Sequence, residues 1–304
     1  MRVLLTGAAG FIGSHVVRLL VHERCEVLAL VRPGTDLSRI ADVQSALRLL
    51  RGDVLQLDPI ENALDSFKPD ACIHLAWCAK PGEYLHSAEN IDLVAGTARL
   101  ATKLATVGCR RFVGVGTCFE YDTQGGTLSE RTALDPRFLY SACKAATFMV
   151  LTNLPLGDMT MAWARLFYLY GPFENERRLV PSVIRALLLG EEARCTTGAQ
   201  VRDFLHVEDL ASALWAIAQS SVAGAVNVGS GAPVTVAHLV KRLGEMLDRS
   251  ELIKLGALPY AKDDPPFVCA NNQRLRTETS WQPRFALDDG LRATIDWWRS
   301  RGAS

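Results

Sequence analysis

Three glycines near the start of the chain constrain it most. Gly7-Ala8-Ala9-Gly10-Phe11-Ile12-Gly13 follows the apolar run Val3–Thr6 and opens an apolar-periodic stretch. A strand, a glycine turn and a helix in that order leave free N–H groups and the positive helix end facing the turn. That arrangement suits a pyrophosphate. The glycines allow a tight turn, close backbone approach to a ligand and close packing of helix on strand. The spacing is Gly-x-x-Gly-x-x-Gly rather than Gly-x-Gly-x-x-Gly. The triplet alone is therefore weak, and a plain structural turn is the alternative; the order of elements favours a dinucleotide. Gly7, Gly10, Phe11, Ile12 and Gly13 are its first candidate contacts.

Further short apolar runs recur at Glu26–Val31, Ala71–Leu75, Phe112–Val115 and Met161–Leu166. Runs of that length fit strands covered on both faces. Between them lie segments of helical spacing, such as Ile91–Val107 with Leu93, Leu100 and Leu104. The alternation predicts an α/β fold, a Rossmann doubly wound parallel sheet. After Leu166 the pattern loosens at Gly171-Pro172 and Gly198. Helices are expected over 179–189, 207–218, 235–247 and 287–299, and one more strand and a turn over 224–231. Residues 253–286, with Pro259, Pro265, Pro266 and Pro283, read as loop-rich. The simplest arrangement adds a smaller C-terminal α/β substrate domain. Residues 1–166 plus 203–228 then form the dinucleotide half, and 167–202 plus 229–304 the substrate half.

The chain carries 33 Lys and Arg against 33 Asp and Glu. Without a basic excess no nucleic-acid partner is expected, and phosphate binding must come from a local site. A core built from 304 residues needs no metal or disulfide staple, and no metal site is expected. The eight cysteines form no Cys-x-x-Cys pair and read as buried thiols of a reducing compartment. No signal peptide and no apolar run near the ~20 residues of a membrane span is seen, so a cytoplasmic location is expected.

The second strand ends at Arg32, nineteen residues past Gly13, where an acid would read the ribose 2′-hydroxyl of NAD. An arginine there can pair with a 2′-phosphate, so NADP(H) is favoured over NAD(H); a solvated arginine at a strand end is the alternative. Asp53, with Val54 beside it, is a candidate for the adenine amino group or else an acidic turn residue. Tyr140-x-x-x-Lys144 places two side chains on one helix face. Lys144 is expected to lower the Tyr140 pKa by stabilising the phenolate, which suits proton transfer. Such a pair is common by chance. Its place after the strand ending in Thr117 matters more, because strand C-termini of a parallel sheet face the ligand crevice.

The chain resembles the extended short-chain dehydrogenase/reductase superfamily, the NAD-dependent epimerase/dehydratase family of nucleotide-sugar enzymes. The likeness rests on the glycine turn, His74-Leu75-Ala76, Thr117 with Tyr121, Tyr140-x-x-x-Lys144, Arg165-Leu166-Phe167-Tyr168-Leu169-Tyr170-Gly171-Pro172, Arg202–Asp209 and Asn227-Val228-Gly229-Ser230-Gly231. Cys195-Thr196-Thr197-Gly198, with Gly256-Ala257 and Ala270-Asn271-Asn272, is similar to the CDP-abequose synthase group, which reduces 4-keto sugars on nucleotides. The resemblance implies a catalytic set of Thr117, Tyr140 and Lys144, with Lys144 and Tyr140 also at the cofactor. It implies that Leu75 and Ala76 line the cofactor, with Phe167 at the nicotinamide. Thr117, Cys118, Tyr168, Leu179, Val180 and Arg202 would meet substrate, Arg202 through the diphosphate. A surface ion pair of Arg202 with Asp203 or Glu208 is the alternative.

Two departures narrow the chemistry. The family's 4,6-dehydratases carry Asp-Glu after the threonine, whereas Cys118-Phe119 stands here. Tyr168 replaces the usual asparagine. The expected reaction is therefore NADP(H)-dependent reduction of a 4-keto-6-deoxy sugar on a nucleotide diphosphate. A 4-epimerase with tightly bound NAD is the alternative, and a non-catalytic dinucleotide-binding regulator a remote one. Glu120, Tyr168, Asn175 and Lys262 are offered as sugar-pocket residues. A homodimer through the helices containing Val94–Val107 and Tyr140–Thr152 is a family expectation.

Overall fold

The computed structural model describes residues 1–260 and 264–302. In chain order the strands are β1 (Arg2–Thr6), β2 (Glu26–Val31), β3 (Arg48–Arg51), β4 (Ala71–His74), β5 (Arg111–Thr117), β6 (Thr127–Leu128), β7 (Thr160–Leu166), β8 (Tyr168–Tyr170), β9 (Ala193–Arg194), β10 (Val201–His206), β11 (Gly224–Val228), β12 (Pro233–Thr235), β13 (Ile253–Lys254) and β14 (Phe267–Ala270). The α-helices are α1 (Phe11–His22), α2 (Glu61–Phe67), α3 (Glu89–Thr106), α4 (Leu139–Asn153), α5 (Leu179–Leu189), α6 (Val207–Gln219), α7 (Val236–Met246), α8 (Gln273–Thr279) and α9 (Leu287–Ser300).

The main sheet runs β3-β2-β1-β4-β5-β7-β11 and every pairing in it is parallel. Strand order reverses between β1 and β4, and a ligand crevice is expected outside the strand ends at such a switch point. The apolar runs form central strands because both faces are covered. Val16, Val17 and Leu20 of α1 and Leu210, Leu214 and Ile217 of α6 bury one face. Leu64 of α2, Leu93, Leu100 and Leu104 of α3 and Leu151 of α4 bury the other.

A second sheet runs β12-β10-β14-β6, with β8 pairing in parallel along Phe204–His206 of β10. It carries a separate core in which Val180 and Ile184 of α5, Leu239 and Leu243 of α7 and Leu291 and Ile295 of α9 meet. The expected loop-rich stretch 253–286 therefore needs correction: it contains β14 and α8. The charged strand β10 escapes apolar periodicity because its polar groups are satisfied from afar. Asp203 accepts from the backbone N–H of Ser230 (2.7 Å), Gly231 (2.9 Å) and Ala270 (3.0 Å). All eight cysteines are free thiols, six of them buried, while Cys25 and Cys78 are half-buried rather than buried as expected. No described helix is long and apolar enough to cross a membrane.

Candidate active site

A cavity of about 870 Å³ opens at the C-terminal edge of the main sheet and continues beneath α5 and β10. One end of it is made by the turn from β1 into α1. Gly7 sits at φ +70°, and a side chain there would press on the Leu75 carbonyl carbon at 2.9 Å. A Cβ on Gly13 would collide with the Gly7 carbonyl oxygen. The first turn of α1 carries no acid and no side-chain cap, so its N–H groups stay available to an anion. This cradle fits a dinucleotide.

One hydroxyl organises the neighbouring wall. Thr6 Oγ1 accepts from the backbone N–H of Leu75 and Ala76, each at 3.0 Å, and meets His74 Nδ1 at 2.9 Å. A hydroxyl already accepting twice must donate to Nδ1. His74 is then neutral and its Nε2–H donates to Thr97 Oγ1 at 3.0 Å. Burial, followed by the Lys144 charge, lowers the His74 pKa to about 3, in line with that state. The outer lip is formed by Arg32, whose Nη1 donates to Glu89 Oε1 at 3.1 Å. Asp53 and Val54 lie on the same wall, and Asp53 Oδ1 accepts from the Leu55 N–H at 3.0 Å.

Thr117 ends β5, and Tyr140 and Lys144 stand on the first two turns of α4. Lys144 is buried. Its Nζ donates to the Val115 carbonyl at 2.6 Å and rests 3.7 Å above the Trp77 ring and 5.9 Å from the Tyr140 ring centre. Burial lowers the Lys144 pKa to about 7, opposed by Glu120. Tyr140 departs from expectation: its pKa lies well above the ordinary phenol value rather than below it. Burial is the first cause, followed by Tyr84, Glu120 and Cys118, and the Thr117 hydroxyl opposes them. The ammonium is spent on a carbonyl and an indole face, so it does not offset the loss of water around the phenol. The edge of one ring against the other holds Tyr140 to Tyr84, with centres 4.9 Å apart.

The cavity wall brings together all the candidate cofactor and substrate residues, from Gly7 to Phe167, Tyr168, Leu179, Val180 and Arg202. Cys118 lies there with its thiol pushed up to about 12 by burial, so it stays protonated at neutral pH. Arg202 is buried, with its ring neighbour Tyr168 5.2 Å away. It pairs with Asp264 at 2.5 Å, not with Asp203 or Glu208. Asn175 also lines the wall, and Lys262 lies outside the described residues.

Glu120 is corrected from sugar-pocket residue to buried anchor. Its carboxylate accepts from the Thr117 N–H (2.9 Å), Trp163 Nε1 (3.0 Å) and Arg165 Nε (2.7 Å), and none of it is exposed. A Cβ on Gly116 would strike both the Glu120 carboxylate and the Trp163 indole, so glycine there keeps the anchor in place. Trp77, Tyr84, Glu89, Glu174 and Asp264 also line the cavity and were not marked by the sequence. An aromatic or acid outside any motif gives no signal of its own; only Asn175, offered as a sugar-pocket residue, lies next to Glu174.

The model of the NAD dependent epimerase/dehydratase family matches residues 3–229. A probable dTDP-glucose 4,6-dehydratase of Sinorhizobium fredii is 30% identical, over 99% of this chain and 94% of its own length. The solved UDP-glucose 4-epimerase of Thermotoga maritima with UDP-glucose shares the fold, with a TM-score of 0.89 at 22% identity over 99% of each chain. MoeE5 in complex with UDP-glucose and NAD is 27% identical, with a TM-score of 0.83 over 99% of each chain.

Proposed function

The chain belongs to the NAD dependent epimerase/dehydratase family, and from that premise we propose that it reduces a 4-keto-6-deoxy sugar carried on a nucleotide diphosphate, with NADP(H) as the preferred cofactor. The reading rests chiefly on one observation. Beside Thr117 and Tyr140, the two positions after the threonine hold a protonated, buried thiol and a phenyl ring, Cys118 and Phe119. Eliminating water needs an acid and a base there, so the dehydratase chemistry named for relatives such as that of Sinorhizobium fredii is not supported by these side chains.

When bound on the Gly7–Gly13 cradle, the dinucleotide supplies the hydride. The remaining steps belong to the protein. Tyr140, held as a neutral phenol by burial, donates its proton to the substrate carbonyl oxygen as that oxygen gains charge. The Thr117 hydroxyl donates to the same oxygen, and together the two preset donors stabilise it. Lys144, held by the Val115 carbonyl and the Trp77 face, would contact the cofactor, and Tyr140 regains its proton from solvent. Arg202, stacked on Tyr168, meets the substrate diphosphate by exchanging Asp264 for phosphate oxygens.

A second reading, a 4-epimerase that keeps NAD, is favoured by one feature: the carboxylate of Glu89 stands beside Arg32 at the ribose end. Incubation with NADPH and a nucleotide-linked 4-keto-6-deoxy sugar separates the two. Reduction predicts loss of NADPH matched by a sugar product two hydrogens heavier; interconversion of sugars without loss of NADPH would sink it. We also read α3 and α4 as a dimer face, supported by exposed Ile91, Met149 and Val150; a monomer in sedimentation equilibrium would remove that reading.

A further inference from the structure

The segment after β8 turns sharply and is clamped onto α1. Gly171 lies at φ +143° and Phe173 at φ +69°, an unusual conformation for a residue with a side chain. His15 Nε2 donates to the Pro172 carbonyl at 2.9 Å, and Arg39 Nε to the Phe173 carbonyl at 3.3 Å. Arg18 and Arg301 both cover the Phe173 ring, at 4.7 and 4.9 Å, and Trp297 meets its edge at 4.9 Å. A strained backbone held by that many contacts fixes the direction of the next side chain.

That side chain is Glu174, on the cavity wall five residues before α5 begins. Its Oε2 is buried and meets no hydrogen-bond partner among the described residues. An orphaned buried carboxyl oxygen costs free energy unless a ligand satisfies it. The surrounding field is that of an anion site. Neither α1 nor α5 has an acid in its first turn or a side-chain cap, and Arg177, Arg178 and Arg202 line this half of the cavity. Asp264, the other acid lining this half among the described residues, is already paired with Arg202. A carboxylate facing a bound anion would repel it, whereas a carboxylic acid donates to it.

We propose that Glu174 contacts the ligand as a neutral carboxylic acid that gives one hydrogen bond to a diphosphate oxygen bound in this arginine-lined part of the cavity. Burial pushes the Glu174 pKa up to about 8, against the opposing charge of Arg178, so the acid form is present at neutral pH. The inference rests on the proposed nucleotide-sugar oxidoreductase reading, in which two ligands carry a diphosphate: the dinucleotide and the nucleotide sugar.

Calorimetric titration of the full chain at neutral pH, with NADP⁺ alone and with UDP or dTDP alone, tests it and tells the two sources apart. Glu174→Gln keeps a neutral donor of nearly the same shape and is expected to bind within about 3-fold of the unaltered protein. Glu174→Ala removes the donor and is expected to lose roughly 10- to 100-fold for one of the two probes. Thermal melts of both variants check that they fold. Two outcomes overturn the proposal: Gln binding as weakly as Ala, which marks an ionised acceptor, or both variants binding like the unaltered protein. Failure of the unaltered protein to bind any probe would instead overturn the proposed function, and this inference with it.

Discussion

Arg32 Nη1 sits 3.1 Å from Glu89 Oε1, joining the residue after β2 to the first turn of α3 at the lip of the cavity. Arg32 is 64% exposed, so water screens the pair and it holds Arg32 only weakly. A 2′-phosphate carries more charge than Glu89 and offers bidentate geometry. Arg32→Ala is therefore expected to raise the KM for NADPH by roughly 10- to 100-fold, with little change for NADH. Glu89→Gln is expected to lower the NADPH value a few-fold. Steady-state kinetics with both cofactors check this, and equal responses of NADPH and NADH would remove the assignment.

Tyr140→Phe deletes the proposed proton donor while leaving the ring against Tyr84. The expected loss in kcat is about 10²- to 10⁴-fold, with dinucleotide affinity retained. Thr117→Val removes the second donor and is expected to cost less. Unchanged turnover in Tyr140→Phe would assign the proton to another group.

The Glu120–Arg165 pair behind the site has both side chains buried, at 0% and 2% exposure. Removing one partner strands the other charge, so Glu120→Ala is expected to destabilise the fold by about 3–5 kcal/mol in denaturant titrations. Glu120→Gln, which still accepts from Trp163 and the Thr117 N–H, is expected to cost less. If the two variants unfold alike, the charge of Glu120 is not what holds Arg165.

His15 and His206 are lowered to about 4 and His74 to about 3, burial being the first cause in each. Unfolded, they titrate near the ordinary value of about 6.5. Below that value the unfolded chain takes up protons that the folded chain refuses. Their contribution to stability is thus complete above about pH 6.5 and falls as pH drops toward about 4. Each contributes a slope of at most about 1.4 kcal/mol per pH unit. Glu174, raised to about 8, has the opposite slope above the carboxyl range, so the histidine effect is read by difference. His74→Gln is expected to flatten the acid side of the stability curve by about one proton. An unaltered slope would mean that His74 is protonated in the folded chain.

The sequence made the main sheet legible where strands are buried on both faces. Val3–Thr6 and Glu26–Val31 need only apolar neighbours, and α5 spans 179–189 as expected. Strand β3, half-exposed with arginine at each end, carries no such run. Strand β14 hides among prolines, since its four residues complete a sheet whose other strands lie far away in sequence. The site divides in the same way. The candidate cofactor and substrate residues taken from motifs line one cavity wall. Glu120 was misplaced because its partner, Arg165, is supplied by another strand. The Tyr140 phenol was misjudged because desolvation depends on Tyr84 and the whole wall, while residue spacing reports only the nearby Lys144.

Net hydride delivery to a keto sugar can be followed by isotope transfer. NADPH deuterated at nicotinamide carbon 4 on the transferred face is incubated with the nucleotide-linked 4-keto-6-deoxy sugar, and the product is read by mass and NMR. The expected product carries one deuterium on sugar carbon 4 for each cofactor oxidised, and Tyr140→Phe is expected to lose that transfer. Sugar product without deuterium, alongside unconsumed NADPH and NAD retained by the protein, would contradict net hydride delivery.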